Sequence, residues 1–372
     1  MQKLPSGSWR FSATDLIHFL ECEHLTALDR THALTPLDPV EDDAYAALIQ
    51  AKGFEHEKAF ARTLEEQAES FVDISLISQN IESRFEATCE AMRAGTHIIY
   101  QGTLIEGDFL GHADFLRRVE TPSALGPFSY ELLDTKLARS PKAKFVIQLG
   151  VYCGMLKAIQ GVSPALMHVI LGDRKEASFR VADYADYVER LKARFLSWVF
   201  GTTFDTYPEP CSHCDLCRWR KRCSDTWASD DHLSLVANIQ KSQIKKLQGV
   251  GVDTLAALAR LDPQQTIPGI AQPVLNRLSG QAGLQLDSRI TGDPKVKLIH
   301  FEEAKPGSEI RRGFARMPKP DEGDLFLIWK VTPLQRMDLS ISSGFTTWIR
   351  ESRYLHRFGH MIGLKNDARL SN

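Results

Sequence analysis

Two groups of residues in this chain have the types and spacing to do chemistry. The first is acidic. Asp114 lies in Gly111-His112-Ala113-Asp114-Phe115, and Asp134-Thr135-Lys136 follows twenty residues later. In a strand, positions 134 and 136 share one face. Two carboxylates can hold a divalent cation through hard oxygen ligands, and an ammonium beside them can polarise an attacking water. That is equipment for phosphodiester hydrolysis. The second group is thiol. Cys211, Cys214, Cys217 and Cys223 are spaced C-x2-C-x2-C-x5-C, which places four of the seven cysteines within thirteen residues. Such local crowding points to a bound metal, either zinc or an iron–sulfur cluster.

Other residues extend these groups. Gln148 and Tyr152 are four apart in a helical stretch, hence on one face. His56, in Gly53-Phe54-Glu55-His56-Glu57, can add an imidazole ligand. Cys22 follows Phe19-Leu20-Glu21 near the N-terminus, far from the other thiols. Arg139, Lys142 and Lys144 follow the Asp134-Thr135-Lys136 segment, and Arg218, Arg220, Lys221 and Arg222 lie among the cysteines. Both basic groups can meet phosphates. Taken singly, each of these residues reads equally well as an ordinary surface or core side chain.

The elements that must position them read as mixed α/β. Residues 12–29 have helical spacing, with Ser12 as a cap and Cys22 inside the helix. A long helix spans about 42–66. Residues 97–105 and 109–119 form a strand pair turning at Glu106-Gly107-Asp108, and Tyr130 to Lys136 is a third strand. A helix over about 143–160, a short strand over 165–171 and an amphipathic helix over 184–198 follow. Residues 1–235 make one domain, 236–285 a small helical one, 286–326 a connector, and 327–372 a tail.

Together the acidic motifs resemble the PD-(D/E)xK nuclease core in its RecB-like version. That family carries a helix histidine, a G-x-x-D aspartate, a D/E-x-K strand and a Q-x3-Y helix. Here these match His56, Asp114 after Gly111, Asp134 with Lys136, and Gln148 with Tyr152. The resemblance covers roughly residues 10–225 and implies a mixed sheet flanked by helices. It implies Mg²⁺ or Mn²⁺ on His56, Asp114, Asp134 and the Thr135 carbonyl. It gives Lys136 a role on the attacking water or the pentacovalent phosphate, and Gln148 and Tyr152 the orientation of substrate. The cysteines resemble the iron–sulfur branch of the same family. In that branch one N-terminal and three C-terminal cysteines hold a [4Fe–4S] cluster, which implies Cys22, Cys214, Cys217 and Cys223 as ligands. Cys211 is then spare, although it can replace Cys22 in a purely local zinc site.

Lys245-Lys246-Leu247-Gln248-Gly249-Val250-Gly251-Val252 resembles a helix-hairpin-helix element. In that motif the hairpin amides, here at Gly249 and Gly251, meet a backbone phosphate without reading sequence, with Lys245 and Lys246 alongside. Pro268-Gly269-Ile270 is a weaker second match. The domain order is similar to a bacterial RecB-like family that continues into an RNase H-like domain. Pro318 to Phe326 matches its lead-in, but the acidic strand is replaced by Leu327 to Pro333. Codons can be chosen for these residues so that a shifted frame restores Phe-Asp-Met-Glu-Gly-Asp-Pro. The tail therefore reads as out of frame, or disordered, after a single-base loss near residue 326.

Composition bounds the rest. The chain has 372 residues, 43% hydrophobic and 25% charged, with net charge −2. That excludes wholesale disorder, collagen-like repeats and an integral membrane protein. Near-neutrality gives no general attraction to nucleic acid, so any DNA contact must be local. The tail from Leu327 carries +4 and the preceding residues −6. No signal peptide or span is visible, so a cytoplasmic location with reduced thiols is expected. The resulting expectation is a metal-dependent DNA nuclease, acting as an exonuclease on single-stranded ends, in repair, recombination or nucleic-acid processing. The alternative is a non-catalytic DNA-binding or partner module stabilised by an iron–sulfur or zinc site. Sequencing the locus across codons 320–345 tests the shifted frame, and an intact frame there removes it.

Overall fold

Alternating, β-branched and aromatic sequence between residues 71 and 180 builds a six-stranded sheet, and that sheet carries the acidic residues. The protein is described by a computed structural model. It describes residues 1–40, 44–77, 79–201, 204–297, 325–329, 343–348 and 355–358. Two units are distinguished, Met1–Lys295 and Val296–Asn372.

The first unit opens with a short hairpin of β1 (Gln2–Lys3) and β2 (Trp9–Arg10). Next come α1 (Ala13–Glu21), α2 (Glu23–Leu34) and α3 (Ala44–Gln67). The single helix expected over 12–29 is thus two. Cys22 breaks it in an extended conformation, and its sulfur accepts the Leu25 amide, so that it caps α2 rather than sitting inside a helix. The sheet then runs β3 (Phe71–Asp73), α4 (Ile81–Arg93), β4 (Ile98–Glu106), β5 (Phe109–Val119) and β6 (Ser129–Thr135). It continues with α5 (Ala143–Gln160), β7 (Leu166–Ile170), β8 (Glu176–Arg180) and α6 (Ala185–Val199). Strand order follows the chain. β3–β4 and β6–β7 are parallel pairs, each crossing over through a helix, and the other neighbours are antiparallel. The fold is therefore α/β, with a mixed sheet flanked by helices.

The two faces of the sheet bury different layers. Ile98, Phe115, Leu133 and Ile170 pack with Phe60, Ala61 and Leu64 of α3. Ile99, Leu116, Leu132, Met167 and Val169 belong to the main core with α1, α5 and α6. The alternation along each strand is what separates these two sets. Helix α5 is apolar on nearly all sides because it is the central helix. Gly150 lets it approach α6, since a Cβ there would lie 2.8 Å from Val188.

After Val199 the chain passes through the cysteine segment to α7 (Arg220–Ser229). It then forms a small helical group of α8 (Lys241–Gln248), α9 (Leu255–Ala259) and α10 (Gln272–Thr291). This group has its own core from Leu233 to Ala282, including Ile244, Leu247, Leu255 and Leu278. In the second unit β9 (Leu325–Trp329), β10 (Ser343–Trp348) and β11 (Leu355–Phe358) form an antiparallel sheet in the order β11-β10-β9. The lead-in from Pro318 to Asp324, the connector from 298 onward and the tail outside these strands lie outside the described residues. Among the described residues no helix is long and apolar enough to cross a membrane.

Candidate functional site

The acidic residues meet where the sheet opens. β5 and β6 are paired from Phe115↔Leu133 to Val119↔Ser129, and the ladder stops there. The next opposed residues, Asp114 and Asp134, are not paired. Asp114 Oδ2 instead accepts the Thr135 amide at 2.8 Å and the Thr135 hydroxyl at 2.9 Å. β6 keeps its other edge on β7 through Thr135↔Ile170. The side chain of Asp114 thus replaces the ladder bonds lost at the opening. Lys136 stands one residue past β6, and its ammonium is 2.6 Å from Asp134 Oδ2.

Asp134 is buried to 1% exposure and Asp114 is half-buried beside it. Burial raises the Asp114 carboxyl above its usual range, partly offset by Lys136 and the two Thr135 bonds. Burial pushes Asp134 up to about 7, the Asp114 charge adds to this, and Lys136 opposes it. Burial works against the charge on Lys136, but Asp134 and Asp114 outweigh it and raise its pKa. A dry site that disfavours two carboxylates and holds one ammonium is short of positive charge.

Helix α5 closes the site. Gln148 Nε2 donates to Asp134 Oδ1 at 3.4 Å. One turn on, the Tyr152 ring lies against Gly111 so closely that a Cβ at position 111 would be 2.4 Å from it. The glycine of G-x-x-D and the tyrosine of Q-x3-Y thus fit one another. Of the other expected residues, His56 lies on α3 with its Nε2 buried and without a hydrogen-bond partner. Sequence reasoning passed over its neighbour. Glu57 accepts from Tyr100 and Gln101 on β4, and interacts electrostatically with Asp114, Asp134 and Lys136. A helical Glu beside His56 was the only signal, and it is indistinguishable from a surface carboxylate until the sheet is in place.

The donor set suits a hard divalent cation. His56 Nε2 is a buried atom without a hydrogen-bond partner, Asp134 Oδ2 is taken by the Lys136 ammonium, and among the described residues no three ligand atoms of His56, Glu57, Asp114 and Asp134 lie within 4.8 Å of one another. Thr135 enters through its amide and hydroxyl, both on Asp114.

Five cysteines gather elsewhere. Cys22, Cys211, Cys214, Cys217 and Cys223 line one cavity with Leu25, Leu28 and Trp219. Cys211 and Cys214 sulfurs are 3.8 Å apart. That is the separation of two thiolates on one zinc, roughly 3.8 Å from Zn–S bonds near 2.3 Å. Yet among the described residues no three of the sulfurs lie within 4.8 Å of one another. Burial raises the thiols of Cys22, Cys214, Cys217 and Cys223, Cys214 to about 11 and Cys223 to about 12, so binding a metal there would release protons. Cys89 and Cys153 are buried apart from this group.

A latch holds the cavity together. Buried Asp29 of α2 accepts from Arg218 Nη2 and Trp219 Nε1, both at 2.7 Å, and its other oxygen lies 3.0 Å from His18 Nδ1. Asp15, His18 and Asp29 could be taken for a metal triad. Their oxygens are already occupied, because Asp15 accepts from the Met1 amine and from Ser12. Desolvation works against the Asp29 charge, but His18, Arg218 and Trp219 together hold its carboxyl below the usual range.

The basic residues divide. Arg139, Lys142 and Lys144 are exposed, with Lys142 and Lys144 at the start of α5 rather than in the loop. Arg218 is committed to Asp29 and Lys221 to Asp225. Arg220 reaches the Cys217 carbonyl. Arg222 is exposed. In the helical group Gly249 caps α8, Gly251 takes φ +81° and Val252 is buried behind it. Gly269 repeats this at φ +77° before α10. Lys245 is exposed, whereas Lys246 donates to the Gly269 carbonyl at 2.6 Å and ties the two turns together.

No protein-family model matches the chain, and no curated protein matches it.

Gly111→Ala is expected to cost about 1–3 kcal/mol, measured by urea unfolding, because the Tyr152 ring must move. Asp29→Ala is expected to cost roughly 2 kcal/mol at neutral pH through its lost charged hydrogen bonds. A carboxyl held below its ordinary range stabilises the fold above that range and ceases to as pH falls through its folded value. The gap between wild type and Asp29→Ala should therefore close on acidification, and a gap independent of pH would contradict the latch.

Proposed function

We propose that this chain is a divalent-metal-dependent DNA nuclease of the RecB-like PD-(D/E)xK type, with a [4Fe–4S] cluster on Cys22, Cys214, Cys217 and Cys223. The observation that supports it best is the opening between β5 and β6. There Asp114, Asp134 and Lys136 converge with Gln148 of α5 in an arrangement short of positive charge.

A bound Mg²⁺ or Mn²⁺ would supply Lewis acidity and a more acidic water at this point. His56, Asp114 and Asp134 are the residues to hold it. Thr135 fixes the rotamer of Asp114 with two hydrogen bonds. Lys136 sits beside Asp134 with its charge kept by the carboxylates, where it can stabilise charge building on the phosphate. Gln148 orients Asp134, and Tyr152 holds α5 against β5. The gathering of Cys22 with Cys214, Cys217 and Cys223 around one cavity supports a shared metal site, and the resemblance favours iron–sulfur. Such a cluster joins α2 to the segment before α7 as a staple. The paired glycine turns support a helix-hairpin-helix role, in which backbone amides take a DNA phosphate. Exposed Arg139, Lys142 and Lys144 extend the phosphate path. Single-stranded ends are the substrate favoured by the resemblance.

The experiment is an anaerobic assay on end-labelled single and double strands, with and without Mn²⁺. Degradation should require the metal. Asp114→Ala and Lys136→Ala should each lose at least about a hundredfold in rate, and full activity in both would refute the assigned site. Brown protein with broad visible absorbance is expected, and colourless protein with stoichiometric zinc would replace the cluster.

A further inference from the structure

We propose that Cys211 and Cys214 are a redox dithiol, which a hydroperoxide converts to a disulfide in the metal-free chain. The bond itself needs no metal. Its consequence, a block on metal loading, rests on the ligand set proposed above, in which Cys214 is used and Cys211 is left over.

The five cavity thiols are not equivalent. Cys22 Sγ accepts the Leu25 amide and Cys217 Sγ the Trp219 amide, each at 3.4 Å, so both sulfurs are turned toward their own backbone. Cys211 and Cys214 are turned toward each other. Their sulfurs are 3.8 Å apart, and Cys214 Sγ also accepts the Cys211 amide at 3.3 Å. Cys22 interacts with Cys211 from α2 and is the rival partner.

The backbone suits a bond between positions 211 and 214. The Cys214 amide donates to the Cys211 carbonyl at 3.1 Å, which closes a four-residue turn. Such a turn holds its first and last Cα atoms within about 7 Å. That is the range a disulfide spans without moving the backbone, and the two sulfurs need to approach by only about 2 Å. The next turn makes a useful comparison. The Cys217 amide donates to the Cys214 carbonyl, also at 3.1 Å and with the same spacing. Yet Cys217 is buried and its sulfur faces the Trp219 amide. Spacing offers both pairs, and side-chain orientation selects one.

The selected turn is reachable. Cys211 and Cys214 are half-buried, Ser212 between them is exposed, and Leu216 just beyond is 77% exposed. The cavity walls do not depend on these thiols, because Asp29 ties α2 to Arg218 and Trp219. The chemistry balances. One thiol reduces the peroxide, releasing water, and becomes a sulfenic acid. The second thiol attacks that sulfur, and the disulfide forms with loss of a second water. The two sulfurs lose the two electrons that the peroxide gains. A partner already in contact outruns thiols arriving from solution. Cys214 thus stops at the disulfide, short of sulfinic acid, and a dithiol reductant restores it. While bridged, it cannot serve as a ligand.

For the test, the full chain is freed of metal with a chelator, treated with hydrogen peroxide, capped with N-ethylmaleimide and cut with trypsin. Phe195 to Arg218 is one tryptic peptide, and it holds Cys211, Cys214 and Cys217. Mass spectrometry should find it lighter by two hydrogens, with a single cap, on Cys217. Dithiothreitol should return all three thiols, and iron uptake on reconstitution with iron and sulfide should recover. Untreated Cys211→Ser should take up iron as the wild type does. After peroxide and dithiothreitol it should lose most of that uptake, with Cys214 recovered as sulfinic acid. A bridge from Cys211 to Cys22, no bridge at all, or equal recovery in Cys211→Ser would overturn the proposal. Iron uptake lost in untreated Cys211→Ser would overturn it too, by making Cys211 a ligand. A wild type that forms the bridge but never takes up iron would remove the cluster and leave the dithiol standing.

Discussion

The structure turns on two carboxylates set side by side with one ammonium. Half-buried Asp114 stands opposite buried Asp134 on the neighbouring strand, and its charge raises the cost of ionising Asp134. Such an arrangement survives only if the surroundings hold it. Lys136 supplies one charge. Thr135 supplies two hydrogen bonds, at the point where the β5–β6 ladder gives up its own. The opening in the sheet and the site are thus one feature. Closing the ladder would pair the backbone and leave Asp114 without donors.

Neighbouring elements are shaped by the same constraint. Helix α5 must come close enough for Gln148 to reach Asp134, which puts Tyr152 where any side chain at position 111 would be. Helix α3 is held from the other layer by the Glu57 contacts, and β4 kinks at Gln101 to make them. Strain at Gln101, the missing side chain at Gly111 and the interrupted ladder all accompany the meeting of polar groups beside an apolar core.

The cysteine cavity is assembled differently. Its walls come from α2 and from a segment almost 190 residues later, and Asp29 joins them with Arg218, Trp219 and His18. Closing so long a loop costs little more than closing a shorter one, because closure entropy grows only slowly with length. The latch holds the cavity's protein walls, and burial keeps the thiols of Cys22, Cys214, Cys217 and Cys223 protonated.

Much of this was legible beforehand. The strand pair, its turn at Gly107, the third strand and the helix over 143–160 follow from alternation, glycine placement and helical spacing, which are local properties. The candidate residues could be named because spacing within one element decides which side chains share a face. Other features could not. The break at Cys22 comes with no glycine or proline, only a sulfur that caps the next helix. Arg218 read as a phosphate contact, yet it is taken by an aspartate that only folding brings near. Glu57 could not be told from any exposed helical carboxylate until β4 came to lie beneath it. The sequence by itself determined the elements and the chemistry each could offer. Which groups meet, and which charges lose their water in meeting, was decided by the tertiary structure, because burial and opposition across strands belong to no single segment of the chain.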